Sequence, residues 1–562
     1  MTQPNPTFNR YYRYAELQAL LQDYATAYPH LIHHQSIGQS HEGRRIDLIT
    51  ITNKATGDAS QKPSLWVDGN IHATEVAPST AALYLIHTLV TQYDRDPDIT
   101  RCLDTRAFHI CPRLNPDGAE LALADSPRYL RSGTRYYPDP DPLPAGFTPC
   151  DIDGDGRILT MRIPDPNGAW KAYPPDPRWL IRRDPIETGG EYYRLLPEGE
   201  IENHDGVLIP RNSPPQGLDF NRNFPAAWRP EPEQRGAGPY PTSEPEVRAA
   251  VEFVTQQRNL TGVVSFHTMS GVLLRPFSFQ ADETMAPADL RLYQQIGAQG
   301  TAITGYPAVS VYHEFRTAGQ GTVTGAFDDW AYLEQGLLAW TVEIWSPMQQ
   351  AGIEKYHFLD WFDEHPLEDD LKLLAWSDRE LQGHGYIDWY PVEHPQLGPV
   401  ELGGWHDFYS WRNPPPHLLQ GEIQRFPQWL VWHLLISPLL TLHHSDVTPL
   451  GNDCYRVRVV VENSGWLPTY VTEQAKTRQK TRGCRAAIQI PEGVTLVTGS
   501  PRLALGELTG RSHTPAAPSS WGDKTSDRAK AEWIVSGPAG AEVTVTVQGD
   551  RAGQVTTSLT LA

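Results

Sequence analysis

At 562 residues the chain is too long for one hydrophobic core, since single cores rarely grow past roughly 250–300 residues. Its 39% hydrophobic, 10% aromatic and 20% charged residues describe a globular protein and not a disordered one. A formal charge of −20 argues against nucleic acid or an anionic membrane as partner, because both demand a positive face.

The amino-terminal stretch MTQPNPTFNRYYRYAELQ lacks a basic segment followed by an apolar core, so no signal peptide is expected. Leu17, Leu20, Leu21, Tyr24 and Tyr28 recur at helical spacing over 14–28, and Pro29 ends the pattern. After GQSHEGRRI, the β-branched run 46–51 predicts a strand, and short buried strands are predicted at 65–67, 108–111, 263–266 and 339–344. Helical patterns lie between them, notably at 78–92 and 244–254, where Ser243 and Glu246 have capping-box spacing. Strands alternating with helices predict an α/β layer fold around a parallel or mixed sheet.

The stretch 386–440, with HPQLGPVELGGW and WRNPPP, is rich in Pro and Gly and reads as an ordered connector. The longest apolar run, 429–440, is too short to span a bilayer and contains His433 and Pro438, so we expect a soluble, cytoplasmic protein. Over 441–562, YRVRVVVEN, AAIQI and EVTVTVQGD alternate with turn-rich pieces, and about seven short strands read as a β-sandwich. The five cysteines, Cys102, Cys111, Cys150, Cys454 and Cys484, include no C-x-x-C pair, which excludes a disulfide framework or a cysteine zinc site.

The chemistry gathers at predicted strand ends. In GNIHATEVAPS, His72 and Glu75 follow one strand and precede a helix, where binding groups collect in open α/β sheets. His and carboxylate are suitable zinc ligands, and a catalytic site needs a third, with one position left for water. His267 ends the apolar run VVSFH in the same topological position. Glu343 sits inside AWTVEIW, a run that otherwise reads as a buried strand, and an ionised carboxylate there is costly unless paired, coordinated or functional. Its structural role would be a salt bridge, its functional one a general base. DIDGDG at 151–156 places Asp151, Asp153 and Asp155 at alternate positions with a glycine at the turn, as a calcium loop requires, or as an Asx-rich turn without an ion does. Position twelve of such a loop is Arg162 in place of the usual Glu, so an EF-hand is not expected.

Taken in order, GQSHEGRRI, His72 with Glu75, NPDG at 115–118, DFNRNFP at 219–225, SEPE at 243–246, SFH at 265–267, DDWAY at 328–332 and TVEIW at 341–345 resemble the zinc carboxypeptidase family, the carboxypeptidase A-like metallopeptidases. The resemblance covers roughly residues 10–350. It implies a three-layer α/β/α sandwich with a mixed central sheet, a domain we place over 1–385 with an insertion at about 136–216, ahead of the connector 386–440 and the β-sandwich 441–562 read from composition and alternation. It implies that His72, Glu75 and His267 hold Zn2+, that Asp219 orients the first ligand histidine, and that Glu343 is the general base. Arg131, with Arg128 second, matches the oxyanion-stabilising arginine of the stretch after NPDG, while Asn221 and Arg222 match the pair that holds a terminal carboxylate. Tyr312 is the candidate for the tyrosine that caps bound substrate, and Asp328 stands where basic-specific members place their pocket carboxylate. Thr74 departs from the pattern, since pancreatic members carry Arg just before the ligand Glu. The expected activity is hydrolysis of the terminal amide bond of a peptide or peptide-like substrate with a free carboxyl end. The rival expectations are a same-fold amidase acting on cell-wall or side-chain-linked peptides, and a non-catalytic peptide-binding protein.

Overall fold

The computed structural model describes residues 4–137, 146–209, 216–316, 321–354, 356–514 and 524–562. Its centre is an eight-stranded mixed sheet in the order Ile32–Gln39, Arg45–Ile51, Ala107–Cys111, Ser64–Gly69, Leu260–His267, Leu338–Glu343, Val272–Arg275, Ala308–Ser310. The four strands from Ala107–Cys111 to Leu338–Glu343 run parallel to one another, and antiparallel pairs flank them. Every residue of Leu260–His267 is buried. Side chains alternate between the two faces of a strand, so helices must cover both sides of the sheet.

The helix Ala77–Gln92 packs on Ser64–Gly69 and Leu260–His267. The approach is close at Gly69, where an added Cβ would lie 2.8 Å from the Pro78 carbonyl oxygen. The chain then turns through Asn70 at φ 63°, a left-handed conformation that Asn tolerates better than most residues. The expected capping box at Ser243 and Glu246 does not form. Pro245 opens the helix Pro245–Gln256, which makes Glu244 the cap residue. Ser243 Oγ instead donates to Glu244 Oε1 at 2.7 Å, and Glu246 accepts from the His41 amide at 2.8 Å.

The stretch expected as a connector is regular structure, and the expectation is corrected accordingly. Tyr386–His394 and Gly398–Trp405 form a hairpin that joins Thr160–Pro164, Tyr193–Pro197, Trp170–Tyr173 and Asp176–Arg182 of the insertion in one six-stranded antiparallel sheet. Pro391 is tolerated because Tyr386–His394 lies at the sheet edge. Val400 and Leu402 bury against Phe147, Met161 and Ile201, giving the insertion a small core of its own. Beyond WRNPPP, the helices Pro416–Ile423 and Phe426–Leu435 pack on Ala77–Gln92, and their apolar residues join the main core. Residues 138–145 and 210–215 of the insertion lie outside the described residues.

The carboxyl-terminal region pairs two four-stranded antiparallel sheets. Cys454–Asn463 alternates between half-buried and buried positions, with Val457, Val459 and Val461 turned inward. Arg551 anchors this sandwich to the larger unit by donating to the carbonyls of Gly336 at 2.7 Å and Gln335 at 2.5 Å. No helix among the described residues is long and apolar enough to cross a membrane.

Candidate active site

His72 and Glu75 occupy the turn between Ser64–Gly69 and Ala77–Gln92, and Asn70, Arg131 and Asn413 fasten that turn. The Asn70 amide donates to the carbonyls of His72 at 2.7 Å and Glu75 at 3.0 Å. The Ala73 amide donates to the Arg131 carbonyl at 2.9 Å. Buried Asn413 accepts from the Val76 and Ala77 amides at 2.9 and 3.0 Å and donates to the Thr74 carbonyl at 2.8 Å. His267 comes from the end of its strand, in register with Glu343 on the neighbouring parallel strand.

These elements converge on one point. His72 Nδ1 lies 2.8 Å from Glu75 Oε1, and His267 Nδ1 lies 3.1 Å from both His72 Nδ1 and Glu75 Oε2. Asp219 Oδ1 faces the other ring nitrogen of His72 at 3.1 Å, which keeps the proton on Nε2 and leaves Nδ1 as a bare donor atom. Burial pushes the Asp219 carboxyl up, but Arg131, Arg222 and His72 outweigh it and hold the group well below the usual carboxylate range. Two ring nitrogens and a carboxylate oxygen facing one another in a buried site repel unless a cation lies among them. Ligand atoms of a four-coordinate zinc sit about 3.3 Å apart, close to the separations here, so the residues fit a zinc ion. Beside them Glu343 Oε2 is buried without a hydrogen-bond partner. Burial pushes the Glu343 carboxyl up to about 8, with Glu75 and Asp328 adding to the rise and His267 and Arg131 opposing it.

Arg131, not Arg128, reaches this centre. Arg131 Nε donates to Asp219 Oδ2 at 2.9 Å, its Nη1 lies 3.6 Å from Glu75, and 42% of its side chain is exposed. Arg128 turns away to Gln216. Asn221 Oδ1 accepts from the Phe327 amide at 2.8 Å, which fixes the orientation of its side chain, and Arg222 Nη2 stands 3.9 Å from Asp219. Asp328 is buried in the first turn of Phe327–Gln335, accepts from the Asp329 amide at 2.9 Å and lies 3.4 Å from Thr341 Oγ1, in the core below Glu343. Tyr312 sits in the short helix Val311–Glu314 under the Arg316 guanidinium, 4.0 Å from its ring centroid. In the acidic loop, Asp151, Asp153 and Glu198 cluster together. Asp155 pairs instead with Arg157, at 2.7 Å from its Nε. Both Asp151 oxygens accept from the loop's own amides, at Gly154 and Gly156, as do the Glu198 oxygens from Ile152 and Leu159.

The family model described as zinc carboxypeptidase matches residues 17–360, more than half of the chain. The chain belongs to the zinc carboxypeptidase family. A family described as a domain of unknown function matches residues 439–560, the β-sandwich. Carboxypeptidase Z of Homo sapiens is 34% identical over 127 residues, 22% of this chain and 20% of that protein. Carboxypeptidase B of Astacus astacus is 29% identical over 161 residues, 28% of this chain and 44% of that protein. The chain thus spans less than half the length of these relatives. Among solved structures, thrombin activatable fibrinolysis inhibitor is similar with a TM-score of 0.43 and 14% identity, covering 76% of this chain and 74% of that one. Carboxypeptidase A from Helicoverpa armigera gives 0.39 and 19%, covering 67% and 75%.

Over this centre opens a cavity of about 1140 Å³, walled in part by His72, Glu75, Arg131 and Glu343. Its other walls come from the insertion, from 359–370 and from 405–412, with Thr268, Met269 and Phe315 beside them. Sequence reasoning missed this roof and missed Asn413. The asparagine stands in WRNPPP, more than 300 residues from the amides it accepts from, and only its Pro-rich neighbours mark the position.

Proposed function

We propose that the protein is a zinc-dependent carboxypeptidase that hydrolyses the last amide bond of peptides bearing a free carboxyl end. The observation that carries this reading is Glu343 Oε2, buried and unpartnered beside the His72, Glu75 and His267 triangle. A buried acid with a free oxygen next to a metal-binding constellation is placed for proton transfer. His72 Nδ1, His267 Nδ1 and the Glu75 carboxylate would hold a zinc ion, which when bound would supply Lewis acidity toward the scissile carbonyl and an incoming water.

The chain's own groups divide the remaining work. In its ionised form, which a cation beside it favours, Glu343 Oε2 takes a proton from the attacking water and delivers it to the leaving amine. Arg131, held against Asp219 at 2.9 Å, offers its remaining N–H groups to the oxygen on which negative charge develops. Arg222 and the amide nitrogen of Asn221 grip the terminal carboxylate, a bidentate task suited to a guanidinium fork. Asn221 is preset for it, because its carbonyl oxygen is already committed to Phe327.

Glu343→Gln tests the reading directly. The variant retains zinc, and its kcat/KM falls by about 10²–10⁴-fold; unchanged turnover overturns the assignment. Peptides with free and amidated carboxyl ends separate the two hydrolase readings. Cleavage of the free form alone is expected, and equal cleavage of both transfers the protein to the amidase reading.

A further inference from the structure

The roof over the centre has a chemistry of its own. Trp170 and Trp179 come from the insertion, Trp361 from the segment after the core sheet, and Trp405 and Trp411 from the hairpin and the turn that follows it, and all five wall the cavity. Trp361 and Trp411 have ring centroids 5.9 Å apart, and Trp411 and Trp405 are 5.5 Å apart. Tyr386 continues the series, 5.3 Å from Trp405 and 5.6 Å from Trp179. Trp361, Trp411, Trp405, Tyr386 and Trp179 thus form a continuous belt of rings joining three separate parts of the chain, and Trp170 walls the cavity apart from it. It is also held rigid: Trp361 Nε1 donates to Asp369 at 3.1 Å, and the His365 ring stacks on Trp361 at 3.8 Å. Aromatic surfaces so fixed lose little conformational entropy when a ligand covers them.

The direction of the cavity says which part of a substrate meets the belt. His72, Glu75, Arg131 and Glu343 form part of it, whereas Asn221, Arg222 and Asp328 are not among its walls. A terminal carboxylate held by Arg222 therefore leaves the last residue outside the cavity, with the scissile bond over Glu343. The rest of the peptide then has to run under the roof, advancing about 3.5 Å per residue.

We propose that the tryptophan belt is a subsite that selects a bulky aromatic or aliphatic residue on the amino side of the scissile bond. This inference rests on the carboxypeptidase reading. Burying such a side chain between indole faces raises kcat/KM by about 10–100-fold over alanine at the same position.

The test uses the zinc-loaded full chain and pairs of peptides with free carboxyl ends that differ only at the penultimate residue, Ala against Phe and Ala against Leu. The Phe and Leu peptides are expected to be cleaved with kcat/KM about 10–100-fold above their Ala partners. In Trp179→Ala and Trp405→Ala that ratio falls toward one, while Trp405→Phe, which keeps a ring, retains most of it. Binding to Glu343→Gln, read by the protein's tryptophan fluorescence, shows the same order without turnover. Equal cleavage of both members of each pair overturns the subsite and leaves the carboxypeptidase reading standing. Faster cleavage of glycan-linked than of plain Phe peptides overturns it too, by assigning the belt to a sugar. Absence of cleavage in every pair, with no preference in binding, removes both readings together.

Discussion

Asp219 is the residue on which the site's electrostatics turn. One oxygen faces His72 at 3.1 Å, the other accepts from Arg131 at 2.9 Å, and Arg222 stands 3.9 Å away. Burial alone would neutralise this carboxyl, but two guanidiniums keep it ionised, and only the ionised form holds the Nε2 proton of His72 in place. Asp219→Asn is therefore expected to weaken zinc binding by about 10–100-fold, measured by chelator competition. An unchanged affinity would show that the imidazole is oriented by packing alone. The same carboxylate bridges the metal site to the arginines assigned to oxyanion and terminal carboxylate, so these positions are mechanically linked.

At the scale of elements, the decisive joint is the turn from Ser64–Gly69 into Ala77–Gln92. A helix start leaves several amides without partners, and a turn whose His72 and Glu75 side chains both point at one shared centre has little freedom to satisfy them itself. Asn413 caps two of those amides and holds the Thr74 carbonyl as well. Asn413→Ala removes the cap and leaves buried polar groups unpaired, which costs about 1–3 kcal/mol of stability in denaturant unfolding. Zinc affinity falls in the same variant, because His72 and Glu75 lie in the loosened turn; a stability loss with full zinc affinity would confine Asn413 to a structural part. The element level also shows why residues 386–440 are poorly legible. Strands there carry Pro391 and Pro399 together with Gly403 and Gly404, residues that locally read as breakers. They are tolerated because one strand lies at the sheet edge and the other gains partners on both sides, facts about neighbours that no local pattern contains.

Across the whole molecule, burial of ionisable groups makes stability depend on pH. His433 is 2% exposed, without a hydrogen-bond partner on either ring nitrogen, and burial pushes it down to about 4. An unfolded chain takes up that proton near 6.5 and the folded one does not, so the neutral ring contributes stability above 6.5 that is lost as pH falls toward 4. Glu246, pushed up to about 8 by burial, runs the opposite way, so the difference between two proteins is the quantity to read. His433→Leu is expected to gain about 2 kcal/mol relative to the parent between pH 6.5 and 5 in urea unfolding. A pH-independent difference would mean that the folded protein takes up the His433 proton as readily as the unfolded chain does. The apolar strand ends and the order of the motifs pointed by themselves to the family, to the β-rich carboxyl-terminal region and to His72, Glu75, His267 and Glu343 as residues that would meet, because strand periodicity and motif spacing are written over short distances. Which arginine reaches the centre, what braces the ligand turn, and the tryptophan roof were decided only by the tertiary structure. Each of those depends on segments far apart in sequence meeting across sheets, and such meetings follow from the packing of whole layers and not from any local spacing.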